Sequence, residues 1–328
     1  MTSADDRKRS LTVNALLGIT LIVLAIMYFT PIWWVSLKAP NYPPEAFPDG
    51  IRIHFHFNGV FNGCSLVKSD EVQVEEALNC VHEMDTINHY VGMYPIASGG
   101  PIERALSQFL VSFLGVMIIG FACRKKKLRA MIMTAGFTAI ALWMYMAMYT
   151  ESGVMMLSDG YRQALQSSLD LDVADIHDWS GIEAVTESYR DTLGIYFRQV
   201  DIIEDKVDVM RVWTNGIVIA LIAAMVLLVV GAYLTPLFYW LLIIVPILLP
   251  VFFVIDYAAW LWYFGHNLNT MGAFAVKPFM PTVFGQGKVA QFSTHSYPHM
   301  GYFMMLGISA MLIVAGLVRK KQIQNEGD

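Results

Sequence analysis

The side chains of this chain that could do chemistry are imidazoles, thioethers and a pair of thiols. Six of the eight histidines and both of those thiols fall in residues 51–96 and 295–300, with Met84, Met93 and Met300 among them. Within residues 80–96, Cys80, His82, Met84, His89 and Met93 share a short polar stretch between two apolar ones. The spacing predicts a helix from residue 75 to about residue 89, with His82, Asp85, His89 and Met93 in one stripe at three- and four-residue steps. Gly92 and Pro95 end it near Met93, and Met84 falls on the opposite face. Imidazole plus thioether is a donor set that suits copper, the cuprous ion above all. Spacing leaves a second reading open, an amphipathic helix with solvated histidines.

Two further groups of ligands are candidates. Residues 51–58 alternate as a half-buried strand does, with Ile51, Ile53, Phe55 and Phe57 on one face and Arg52, His54, His56 and Asn58 on the other. Asn58-Gly59 and Asn62-Gly63 are turn signals, which predicts a small sheet or hairpin. His54 and His56 could chelate a metal, or form no more than the polar face of that strand. His295, His299 and Met300 close the last polar segment, where metal ligation competes with interfacial anchoring.

The elements that must position these residues are membrane spans. The chain has 328 residues, of which 56% are hydrophobic and only 15% charged, and its mean hydropathy is +0.50. A soluble domain carries about 25% charged residues. The apolar residues come in blocks of about 20, enough to cross a bilayer core. The expected fold is therefore an all-α polytopic membrane protein with six transmembrane helices and a small extracytoplasmic α+β element. The spans are residues 11–35, 105–123, 130–149, 212–234, 237–263 and 298–318. Basic clusters at 7–9, 124–129 and 319–321 fall on one side, which the positive-inside rule makes cytoplasmic, with both termini. The turn at Thr235-Pro236 carries no charge and does not bear on orientation.

The chain then divides into a cytoplasmic N-terminus and first span (1–35), an outer segment with His, Met and Cys (36–104), a helical hairpin (105–150), an acidic helical outer segment (151–211), two spans (212–263), an outer segment without regular pattern (264–297), and a last span with a cytoplasmic C-terminus (298–328). Residues 183–211 read as a long amphipathic helix running into the fourth span, its stripe of Tyr189, Leu193, Tyr196 and Phe197 being a packing surface. Pro298 suits the first turn of the sixth helix. Cys64 and Cys80 lie outside the cytoplasm, where disulfides persist. A bridge between them closes a loop of about 15 residues, worth about 3 kcal/mol in the chain-entropy model. Thiolate ligation is the alternative.

Several function classes are disfavoured. All eight histidines fall in the outer segments or at the membrane edge, so no haem ligand sits inside the bundle. Paired charges deep in the spans are missing, which weakens a proton-coupled pump. Asp256 is the one acid within a span, and either faces an outer site or bonds to a neighbouring helix or interfacial water. There is no basic nucleic-acid surface, no phosphate loop and no Ser/His/Asp or Cys/His set with recognisable context.

Trp33 to Pro43 (Trp-Trp-Val-Ser-Leu-Lys-Ala-Pro-Asn-Tyr-Pro), the run from Asn88 to Met93 before a hydrophobic span, and residues 277–298 resemble a little-characterised family of prokaryotic inner-membrane proteins. That family is associated with maturation loci for copper enzymes of the nitrous oxide reductase type. The resemblance covers about a third of the chain. It implies an inner-membrane location and a periplasmic role in copper handling or cuproenzyme assembly, with His89 and Met93 the best-matching positions. The acidic segment 151–211 has no counterpart in it, and Cys64, Cys80, His54 and His56 lie outside it.

The leading expectation is a non-enzymatic protein with a periplasmic copper site. His89 and Met93 are its core, completed by His82 and by one or more of His54, His56, His295 and His299, with Met300 adjacent. Its partners would be membrane lipid and a cuproenzyme or other membrane subunits. The alternatives are a metal-free assembly subunit of a membrane complex and, with Pro236, Pro246 and Pro250 breaking the spans, a permease.

Overall fold

The structure is a computed structural model and describes residues 3–65, 79–289 and 291–327. The chain begins with α1 (Ser3–Tyr28), then strands β1 (Trp33–Lys38), β2 (Ile51–His56) and β3 (Gly59–Asn62), and then α2 (Cys80–Tyr90). Two long helices follow, α3 (Pro101–Ala122) and α4 (Lys126–Tyr149). Next come α5 (Asp159–Leu169), α6 (Val173–Ile176) and α7 (Gly181–Tyr196). The chain continues through α8 (Val200–Leu234), α9 (Pro236–Ile247) and α10 (Leu249–His266). It closes with β4 (Gly285–Val289), β5 (Phe292–Pro298) and α11 (Met300–Gly327).

Among the described residues, α1, α3, α4, α8 and α11 are long and apolar enough to cross a membrane. Helices α9 and α10 meet at 58° and together form a further candidate. The break has a local cause, because Pro246 and Pro250 each withhold a backbone N–H on either side of Leu248. A multi-pass helical membrane protein follows.

Four sequence expectations change. The first helix stops at Tyr28, not at residue 35. Pro31 cannot donate to a helix and disfavours helical geometry just before it, and the aromatic and β-branched run Trp33-Trp34-Val35 pairs on both sides as a strand. The predicted continuous helix over 183–211 is two, because Phe197 turns to extended backbone before α8 starts. The stripe on them is packing, with Tyr189, Leu193, Phe197, Ile203 and Val207 all buried. Residues 264–297 are not irregular but carry β4 and most of β5. Pro298 ends β5 instead of opening the last helix.

The five strands form one antiparallel sheet in the order β3-β2-β1-β5-β4. The strand that follows α1 lies at its centre, beside the strand that leads into α11. Since β1 and β5 are antiparallel, α1 and α11 also run in opposite directions, and both chain ends lie away from the sheet. Trp33 ties this sheet to the bundle. Its Nε1 donates to Ser296 Oγ at 2.8 Å, and its ring lies 5.4–6.3 Å from Phe253, Tyr257, Phe284 and Tyr302.

The other end of the bundle is closed by cations on helix carbonyls, where the negative ends of the helix dipoles favour them. Arg319 Nη2 donates to Ala122 O at 3.2 Å, and Arg129 Nη2 to Ala232 O at 2.5 Å. Tyr239 Oη donates to Phe121 O at 3.1 Å. The uncharged turn at Thr235-Pro236 is thereby placed at the end that carries the basic clusters.

Candidate functional site

The sheet brings the first and third outer segments together, and with them three histidines. In the register, Trp34 lies opposite His54 on one side and Tyr297 on the other, and Ser36 lies opposite Arg52 and His295. Alternation puts Arg52, His54, His56, His295 and Tyr297 on one face. The other face carries Trp33, Val35, Leu37, Ile51 and Ile53, buried with Val81, Met84 and Ile87 of α2. On the polar face the His54 and His299 rings are 5.1 Å apart, and His56 packs on Phe61 at 4.8 Å. The Arg52 guanidinium lies 4.1 Å over the Trp34 ring. His295 is two strands across and two residues along from His54, about 12 Å at ordinary strand spacing, with β1 between them.

Burial is the main reason these imidazoles resist protonation. It pushes His54 down to about 4, helped by His299 and Arg52. It does the same to His56, helped by His54 and His299, and it lowers His299 as well. All three are therefore neutral near pH 7 with a lone pair each, the form in which imidazole binds metals. Space beside His54 depends on Gly63, where a Cβ would lie 2.9 Å from the ring Nε2. His299 is committed elsewhere, because its Nδ1 accepts the Met300 N–H at 2.8 Å. That bond keeps the ring proton on Nε2, so ligation through Nε2 requires the proton to move and the bond to be given up.

The group expected to form the core does not assemble. Helix α2 starts at the Asn79 cap, whose side chain accepts from Val81 and His82 N–H; residues 75–78 of the predicted helix lie outside the described residues. It ends at Gly92, as expected, with φ +76°. The bonds Met93 N–H to Asn88 O and Gly92 N–H to His89 O, both 2.9 Å, make a Schellman motif. This reversal carries Met93 off the histidine stripe and into the apolar core, where it is 5% exposed. His82 Nδ1 lies 3.3 Å from Tyr196 Oη, and the His89 ring packs on Tyr196 at 5.7 Å and Phe197 at 5.2 Å. His82 and His89 thus share an aromatic neighbour, Tyr196, and Met93 lies away from them in the core.

Asp85, on the same stripe, is fully buried and accepts from Ile96 N–H at 2.5 Å and Ala97 N–H at 3.3 Å. Burial raises its carboxyl to about 7 against the opposing pull of those two bonds and of Arg104. It is a structural anchor for the turn Ile96–Ser98. Cys64 and Cys80 form the disulfide, joining the end of β3 to the first residue of α2, so neither thiol is a ligand. Met300 is 57% exposed at the start of α11.

Sequence reading overlooked Glu103, in the first turn of α3. Its Oε1 accepts from Trp260 Nε1 at 3.3 Å, and Asp256 lies beside it, so the acid in the span bonds to a neighbouring helix. Glu103 and Trp260 form a common wall between two cavities, one of about 230 Å³ under the sheet and one of about 640 Å³ between α8 and α10. The only sequence signal was an acid at the N-terminal end of an apolar helix, which helix-dipole effects alone explain. Among the described residues, no group of three or more His, Cys, Asp or Glu side chains is arranged to hold a metal ion. No protein-family model, curated protein or solved structure matches the chain.

Proposed function

We propose that this chain is a non-enzymatic inner-membrane protein with six spans and both ends in the cytoplasm. Its sheet faces the other side and handles copper for the assembly of a copper enzyme. The observation that supports this is the approach of His54 to His299, with His56 two residues along the same strand face and all three held neutral by burial. The copper nucleus is the His54–His299 pair, not His89 and Met93. A cuprous ion takes neutral imidazoles without needing a surrounding set of carboxylates or thiolates, so a histidine pair is enough to start from. Ligation at His299 releases the Met300 N–H, which links metal arrival to the first turn of α11.

A second reading, a metal-free assembly subunit, is favoured by the burial of Met93 and the ring packing of His89. One experiment separates them. The detergent-purified protein is loaded with Cu(I) under reducing conditions and titrated against a chromogenic chelator, beside His54→Ala/His299→Ala and His89→Ala. Near-stoichiometric copper in the wild type and His89→Ala, lost in the double variant, supports the copper reading. No retained copper in any of them removes it and leaves the assembly role.

A further inference from the structure

The cavity between α8 and α10 lies where α8 changes character. Residues 201–211 of that helix carry Asp201, Glu204, Asp205, Lys206, Asp208 and Arg211, and from Val212 onward it is apolar. The cavity straddles that boundary. Val209, Trp213 and Ile217 line its apolar length, with Val209 56% and Trp213 63% exposed, so it opens sideways toward the surface that lipid covers. Trp213, Trp260 and Tyr263 around it are the aromatic types that favour the membrane interface. Its volume of about 640 Å³ lies within the roughly 300–1,000 Å³ of small-molecule sites.

The polar end has a definite charge pattern. Lys206 Nζ donates to Tyr263 Oη at 2.9 Å and lies 4.6 Å from the Tyr94 ring centroid, which fixes its direction. Asp205 and Glu103 line the same end, and Asp256 stands behind Glu103. Arg104, the cation next to Glu103, is turned to the carbonyls of Ala97 and Gly100. One fixed cation among several acids repels an anionic headgroup. It complements a zwitterion that brings one phosphate and one ammonium.

We propose that this cavity binds a single phospholipid with a primary-ammonium headgroup. One acyl chain lies along Val209, Trp213 and Ile217, the phosphate meets Lys206, and the ammonium faces Glu103 and Asp205. A phosphoethanolamine headgroup meets these requirements, because its ammonium donates hydrogen bonds that carboxylates accept. A trimethylated ammonium cannot donate, and a glycerol headgroup brings no positive charge.

Native mass spectrometry of the full chain, released from nanodiscs containing equal parts of phosphatidylethanolamine, phosphatidylcholine and phosphatidylglycerol with matched acyl chains, tests this. The expected result is one lipid retained per chain, with phosphatidylethanolamine preferred at least tenfold over either competitor. Glu103→Gln should cut that preference to within about twofold while still retaining a lipid, a readout that does not depend on filling the cavity. Val209→Trp, which fills it, should lose the retained lipid; a melting temperature matched to the wild type shows that this variant is folded. Equal retention of all three lipids by the wild type, a preference for phosphatidylglycerol, or unchanged preference in Glu103→Gln would each overturn the proposal.

Discussion

The His54 and His299 rings stand 5.1 Å apart although they come from opposite ends of the chain. They meet because β1 pairs with β2 on one side and with β5 on the other. Burial holds His54 and His56 at about 4, well below the ordinary value of 6.5. The unfolded chain therefore binds more protons than the folded one between pH 4 and 6.5, and stability from this pair rises with pH across that window and is lost as pH falls. His54→Gln/His56→Gln should remove that rise. Melting temperatures of the wild type and the double variant, taken from pH 4.5 to 7.5, check it; parallel curves would count against the assignment.

Asp85 has the opposite sign. Its folded carboxyl is raised from 3.8 to about 7, so the folded state holds the extra proton in that window and stability from this group falls as pH rises. Asp85→Asn keeps an oxygen to accept from Ile96 and Ala97 N–H without the buried charge. Arg104 opposes the rise in the wild type and loses a counter-charge in the variant. The expected outcome is a variant whose stability no longer declines between pH 4 and 7, so its pH curve is steeper on the rising side than the wild type's. A variant curve with the same slope as the wild type would show that Asp85 does not titrate in this range.

What the sequence revealed and what it concealed have a common physical cause. Spans, the alternation of residues 51–56, the end of α2 at Gly92 and the Cys64–Cys80 pairing all depend on local periodicity, turn chemistry or compartment, and all can be read from neighbouring residues. The pairing of Trp34 with Tyr297 depends on two segments that carry no mutual signal, so β5 looked irregular. Met93 was misplaced because a helical stripe was extended one residue past the glycine that reverses the chain. Asp256 stands out in sequence as the one acid within a span, but Glu103 does not, and only the packing of α3 beside α10 makes them neighbours.

The disulfide joins the end of β3 to the start of α2 and is the covalent link between the sheet and the helix beneath it. Closing a loop of about 15 residues is worth about 3 kcal/mol in the chain-entropy model. Cys64→Ala/Cys80→Ala should lose about 2–4 kcal/mol, and reductant should destabilise the wild type but not the variant. Cys123 remains as an unpaired thiol in both. Thermal melts with and without reductant, together with thiol counting by mass spectrometry, measure this. Equal reductant sensitivity in the two proteins would argue that the bridge contributes nothing.

Gly92 carries two requirements at once. Its φ of +76° is the left-handed conformation that costs a residue with a Cβ about 1–2 kcal/mol. A Cβ there would also lie 2.5 Å from the carbonyl oxygen of Asn269, a backbone atom that cannot swing aside. The same residue accepts from Asn269 N–H at 2.7 Å, and Tyr90 O accepts from Phe274 N–H at 3.1 Å, so residues 269–274 are laid directly onto the end of α2. Gly92→Ala should therefore destabilise by more than the conformational cost alone and free the Asn269 and Phe274 amides to hydrogen exchange. Gly194, inside α7 with open space around its Cα, is the control, and Gly194→Ala should be neutral or stabilising by up to about 1 kcal/mol. If both variants melt together with the wild type, the close approach at Gly92 is not a constraint on the fold. If only Gly92→Ala is destabilised and its faster exchange is confined to 269–274, the end of α2 is what holds residues 269–274 in place, while the sheet holds the rest of the segment.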